Sequence, residues 1–150
     1  QVMSAGTGIE HSEYNANADK TVKFLQIWII PKVKAVAPRY QQISLNTEDR
    51  KNKLQQILSP NSEDQGVWIH QDAWFHLGSL EKETELKYRL KDPKNNGVYA
   101  FVIKGSLELA GIELSHRDGL GITEANEFDL KAFEDSEILL IEVPMELPRV

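Results

Sequence analysis

Thr84-Glu85-Leu86-Lys87-Tyr88-Arg89-Leu90-Lys91-Asp92-Pro93-Lys94-Asn95-Asn96-Gly97-Val98-Tyr99-Ala100-Phe101-Val102-Ile103-Lys104 decides the fold. Its first residues alternate: Leu86, Tyr88 and Leu90 fall on one side, Glu85, Lys87 and Arg89 on the other. Successive side chains of a strand point to opposite faces, so this is a strand with one buried and one wet face. Asp92 to Gly97 then reads as a turn, and its Asn-Gly pair suits a type I′ turn. Val98 to Lys104 follows as a buried strand.

The same rhythm continues outward in both directions. Leu54 to Leu58 is a short strand, stopped by Ser59-Pro60-Asn61, and residues 61–66 form a polar turn. Val67-Trp68-Ile69 and Ala73 to Leu80 come next. On the far side, Gly105 marks a turn and Ser106 to Leu109 is expected to pair back. Ala110-Gly111 turns before Ile112 to Leu114, and Arg117-Asp118-Gly119 precedes Leu120-Gly121-Ile122. Phe128 to Phe133 and Glu137 to Val143 complete the set. Upstream, Phe24-Leu25-Gln26-Ile27-Trp28-Ile29-Ile30 is a β-branched and aromatic run closed by Pro31, a further strand. Residues 31–42 read as a connector, and only Thr47 to Leu58 has room for a short helix. Short strands spaced by Gly and Asn turns predict an all-β sandwich or barrel.

Composition narrows the function classes. The chain has 150 residues, 41% of them apolar and 27% charged, ordinary for a globular protein able to bury a core. No run of 18 apolar residues occurs, which argues against a membrane-spanning helix. A net charge of −6 with scattered lysines and arginines lacks the basic stripe of a direct nucleic-acid binder. The absence of cysteine excludes disulfides, zinc-thiolate sites and cysteine nucleophiles, and favours an intracellular, cytoplasmic setting.

The segment with chemistry in it is Gly6-Thr7-Gly8-Ile9-Glu10-His11-Ser12-Glu13-Tyr14-Asn15. Two glycines permit a tight turn before a strand. On that strand His11 and Glu13, two apart, project from one face. An imidazole and a carboxylate side by side suit a divalent metal, and with further histidines make an open, oxygen-activating iron site. Two ligands are too few alone, and the competing reading is a surface ion pair on a glycine-rich loop. His70, His76 and His116 have no companions at ligand spacing. His76, within Trp74-Phe75-His76-Leu77, reads as a packed, hydrogen-bonded residue, His70 as structural at a strand edge, and His116 as a solvated turn residue. Trp28 and Trp74 read as packing residues.

Gly8, His11 and Asn15 have the spacing Gly-x2-His-x3-Asn, which resembles the second cupin motif, with Gly6 where cupins usually have proline. The run Met3 to Asn15, the strand Phe24 to Ile29 and the segment Pro38-Arg39-Tyr40-Gln41 together resemble the pirin family. The match is dense over residues 1–42 and looser beyond, through Tyr99 to Gly105 and Asp118-Gly119. Pirins are bicupins, so the resemblance implies two jelly-roll-like β-barrels. Residues 1–42 would be the last strands of an incomplete N-terminal metal-binding barrel plus connector, and 43–150 a C-terminal cupin barrel without a metal site. The family's metal, iron or another divalent ion, is held by three histidines and one glutamate. His11 and Glu13 match the third histidine and the glutamate. The other two belong to an upstream His-x-His. At the equivalent strand of the second barrel stand Glu85, Lys87, Tyr88 and Arg89, and cationic side chains there would repel a metal.

Two functions follow from the resemblance. One is a metal-dependent dioxygenase opening flavonols such as quercetin, a small aromatic substrate, with Glu13 as ligand and catalytic base. The other is a non-enzymatic, iron-dependent regulatory protein using the same ligands. Because Gln1 begins directly on the motif, the chain reads as a truncated product with half of a site, expected to bind metal weakly or not at all and to form a homodimer through unpaired strand edges.

Overall fold

A computed structural model describes residues 1–146; the last four positions of the expected 43–150 domain lie outside the described residues. Among the described residues the chain forms twelve strands: β1 (Val2–Ser4), β2 (Arg39–Gln41), β3 (Leu54–Ser59), β4 (Val67–Trp68), β5 (Trp74–Leu80), β6 (Glu85–Arg89), β7 (Asn96–Lys104), β8 (Leu107–Leu109), β9 (Ile112–Leu114), β10 (Gly119–Ile122), β11 (Glu127–Ala132) and β12 (Ser136–Pro144). Six pair in the order β10-β7-β12-β5-β3-β4, four in the order β6-β11-β8-β9, and β1 pairs with β2. The all-β architecture agrees with the sequence reading.

The two larger sheets close on one core. Leu80, Tyr88, Val98, Val102, Leu107, Leu109, Phe128, Leu130, Ile138 and Leu140 contribute to it from both sheets. A second cluster lies on the outer face of the six-stranded sheet, where Phe75, Leu139 and Ile141 meet Ile69 and Ala73 and are covered partly by Val2 and Ile29. β12 is therefore buried on both faces, which accounts for the unbroken run Ile138-Leu139-Leu140-Ile141.

Several local expectations change. Residues 91–96 do not form a hairpin, since β6 pairs with β11 whereas β7 pairs with β10 and β12. The turn carries the chain from one sheet to the other. It is closed by Asn95 N and Asn96 N on the Asp92 carbonyl, at 3.2 and 2.9 Å. Asn96 and Gly97 already belong to β7 and neither has positive φ, so the type I′ geometry is absent there. It occurs instead at Ala110-Gly111, where both φ values are positive (52° and 79°) between Leu109 and its partner Ile112.

Leu107–Leu109 pairs with β9 and β11 rather than back on β7. Among the described residues helix is confined to one 3-10 turn, Thr47–Arg50, capped by Asn46, whose side chain accepts from Glu48 N.

The segment 24–30 is not a strand: no described strand lies alongside to complete its ladder, and Phe24 and Trp28 are 68% and 88% exposed, against the packing expected of Trp28. It is tied down at its end, where the Ile30 carbonyl accepts from Gln71 Nε2 (2.7 Å) and Lys32 N donates to the His70 carbonyl (2.8 Å). Within the expected connector, Arg39–Gln41 is a strand. The Arg39 guanidinium lies 3.8 Å over the Trp68 ring and donates to the Trp68 carbonyl, fixing β2 to the barrel.

Candidate functional site

The glycine-rich segment turns as its sequence requires. Gly6 has φ +54°, and a Cβ there would meet the Val36 carbonyl oxygen at 2.1 Å. Thr7 N donates to that same carbonyl at 3.1 Å, and Gly8 N to the Ala5 carbonyl at 2.8 Å. Beyond this turn the chain is irregular, so His11 and Glu13 do not share a strand face as expected; both are solvent-exposed. Glu13 Oε1 accepts from Gln1 Nε2 at 2.8 Å. Asn15 has a turn role: its Nδ2 donates to the Lys20 carbonyl (2.6 Å) and its Oδ1 accepts from Asn17 N (3.0 Å).

The donor set present does not fit a resident metal. Among the described residues no three His, Cys, Asp or Glu side chains come together as a cation site. Two exposed donors, one already hydrogen-bonded to Gln1, leave most of an ion's coordination to water.

The remaining histidines behave as read. His116 is exposed in its turn. His70 packs edge-on to Trp68, ring centroids 4.8 Å apart. His76 is buried against Tyr88, whose hydroxyl lies 3.4 Å from Nδ1.

His76 opens onto a group that the sequence reading passed over. Glu142 is fully buried, following Ile138 and Leu140 on the inward register of β12. Its carboxylate accepts from Tyr88 Oη (2.7 Å), Lys91 N (2.8 Å), Asp92 N (3.0 Å) and Asn96 Nδ2 (2.8 Å). These donors come from β6, from the sheet-to-sheet turn and from β7. Burial pushes the His76 imidazole down to about 4; the nearby Lys91 charge adds to this and Glu142 opposes it. His76 is therefore neutral at pH 7. Burial, then the bond to Glu142, pushes the Tyr88 phenol well up, so it remains a donor. With its acceptor positions occupied by protein donors, Glu142 acts as a lock between strands and turn. The available signal was its i+4 spacing from Ile138, legible only once both faces of β12 are known to be buried.

The polar face of β6 also differs from expectation. Glu85, Lys87 and Arg89 point to solvent, away from the barrel interior, so their charge does not bear on an internal ion. They form a cross-strand ladder with β11: Lys87–Glu127 at 2.8 Å, Lys87–Asp129 at 3.2 Å, Arg89–Glu127 at 2.9 Å and Lys131–Glu85 at 2.9 Å. Leu86, Tyr88 and Leu90 face inward.

Comparison with known proteins fits this architecture. The family profile described as the quercetinase C-terminal cupin domain matches residues 56–143, and the pirin profile matches residues 1–29. A quercetin 2,3-dioxygenase of Escherichia coli strain K12 is 35% identical over 144 residues, 96% of this chain and 60% of that protein. The chain thus spans about 60% of the length of such relatives. The crystal structure of the bacterial pirin YhhW from Escherichia coli, in complex with nickel(II), superposes with a TM-score of 0.70 at 29% identity, over 78% of this chain and 48% of that one. The quercetin 2,3-dioxygenase of Acinetobacter baumannii shares the fold, with a TM-score of 0.61 at 18% identity over 74% of this chain and 41% of that one. With the C-terminal cupin profile matched across more than half of its length, over the barrel just described, the chain belongs to the pirin family and carries its quercetinase-type C-terminal cupin domain.

Proposed function

We propose that the full-length protein containing this chain opens the heterocycle of flavonols such as quercetin with dioxygen, in a metal-dependent reaction. The observation that carries this reading is the 35% identity to a quercetin 2,3-dioxygenase across 96% of the chain, including the His11 segment. In this reading residues 1–42 complete a metal-binding barrel, and 43–150 form a cupin barrel that serves as structural support. His11 and Glu13 supply two of the donors to iron, nickel or another divalent metal, and donors outside this chain supply the others. The metal would provide Lewis-acid and oxygen chemistry. Glu13, released from Gln1, takes the proton of the flavonol hydroxyl as general base.

The test is the full-length protein with ferrous iron or nickel and quercetin in air. Ring-opened product is expected, and Glu13→Gln should lower kcat/KM by about 100-fold or more, the scale of a lost general base. No metal uptake and no product would reject the reading. The other function is iron-dependent regulation without turnover, through the same two side chains, His11 and Glu13. It predicts partner capture that follows metal state, with quercetin left intact.

A further inference from the structure

We propose that Asn96 is a masked deamidation site whose conversion releases the 91–97 turn from Glu142, a one-way switch built into the barrel. Asn96-Gly97 is the single Asn-Gly pair in the sequence. Glycine leaves its backbone nitrogen unhindered for attack on the preceding side chain. In that reaction Gly97 N bonds to Asn96 Cγ, the Cγ–Nδ2 bond breaks, and ammonia departs with the Gly97 amide proton. Water then opens the succinimide at either carbonyl, leaving aspartate or isoaspartate.

Both residues of the susceptible pair are imposed by packing. A Cβ on Gly97 would meet Met145 Sδ at 2.5 Å and the Ile122 carbonyl oxygen at 3.0 Å, so a larger residue does not fit without movement. Asn96 is 4% exposed and donates from Nδ2 to Glu142 Oε1 at 2.8 Å. The same contacts suppress the reaction in the closed state. Asn96 is extended at the start of β7, its N bonded to the Asp92 carbonyl at 2.9 Å, opposite Pro144 on β12. Ring closure requires Cγ to leave Glu142 and the backbone to leave the strand, so modification waits on local opening of the turn.

Closure after modification is opposed electrostatically, because one of the two carboxyls must first take up a proton. The aspartate formed from Asn96 would set a carboxylate where Glu142 now receives an N–H donor, and two buried like charges at hydrogen-bond distance do not both persist. The open turn also loses the bond from Met145 N to the Asn95 carbonyl (2.9 Å), so release reaches the residues following β12.

The chain is incubated at pH 8 and 37 °C, folded and in urea, and Asn96 is followed by peptide mass and isoaspartate assay. The expected result is conversion in the unfolded chain and at least tenfold slower conversion in the folded one. Equal rates, or no conversion in urea, would overturn the masking. Asn96→Asp is expected to raise amide exchange across 91–97, with partial restoration in Asn96→Asp/Glu142→Gln. Wild-type protection in Asn96→Asp would overturn the switch. If Asn96→Asp fails to fold, exchange is read on aged wild-type chains, where slow exchange in the converted fraction would overturn it equally.

Discussion

Glu142 receives donors from β6, β7 and the turn between them, and each loses its partner if the carboxylate is removed. Buried donors left unsatisfied cost about 1–3 kcal/mol each, partly relieved by water. Glu142→Ala is therefore expected to lower stability by about 3 kcal/mol or more, read as a fall in the denaturant midpoint at constant slope. His76 beside it sets a pH dependence. Its folded value, about 4, lies below the unfolded 6.5, so the unfolded chain binds more protons between them. The contribution is complete above about pH 6.5 and is lost as pH falls toward 4, on the order of 3 kcal/mol from the shift alone. His76→Phe or His76→Leu should flatten this part of the stability profile; an unchanged profile would remove His76 as its source. At this scale His76 was legible because it sits among aromatics, whereas Glu142, ending an apolar run, looks from sequence like a strand leaving the core. The spacing of His11 and Glu13 was legible too, but its strand geometry was not, because a face exists only where a neighbouring strand fixes the backbone.

Strands were legible as elements because period-2 alternation and Gly or Asn turns are local signals. Their pairing was not, because alternation specifies a face and not a partner. That is why 91–96 looked like a hairpin and proved to be a crossing between sheets, while the two-residue hairpin turn belongs to β8 and β9. That hairpin carries a non-glycine residue, Ala110, at φ 52°. A left-handed alanine costs about 1–2 kcal/mol, less for asparagine. Ala110 is exposed, so Ala110→Asn should stabilise by about 0.5–1 kcal/mol, seen as a Tm rise of a few degrees. A lower Tm would place the turn in another geometry.

At the scale of the molecule, the outer face of the six-stranded sheet makes contact with the N-terminal segment through Val2 and Ile29, while the neighbouring Trp28 points outward. Ile29→Ala should cost about 1 kcal/mol and Trp28→Ala less than about 0.5 kcal/mol, measured by chemical denaturation. Equal costs would mean that Trp28 packs as well. The same segment carries His11 and Glu13, so its attachment to the cupin barrel bears on the proposed activity. The most direct test of that activity is dioxygen uptake with quercetin by the metal-loaded full-length protein, compared with its His11→Ala variant. Uptake matched by ring-opened product in the wild type and lost in His11→Ala is the expected result; no uptake in the wild type, or undiminished uptake in His11→Ala, would contradict the account.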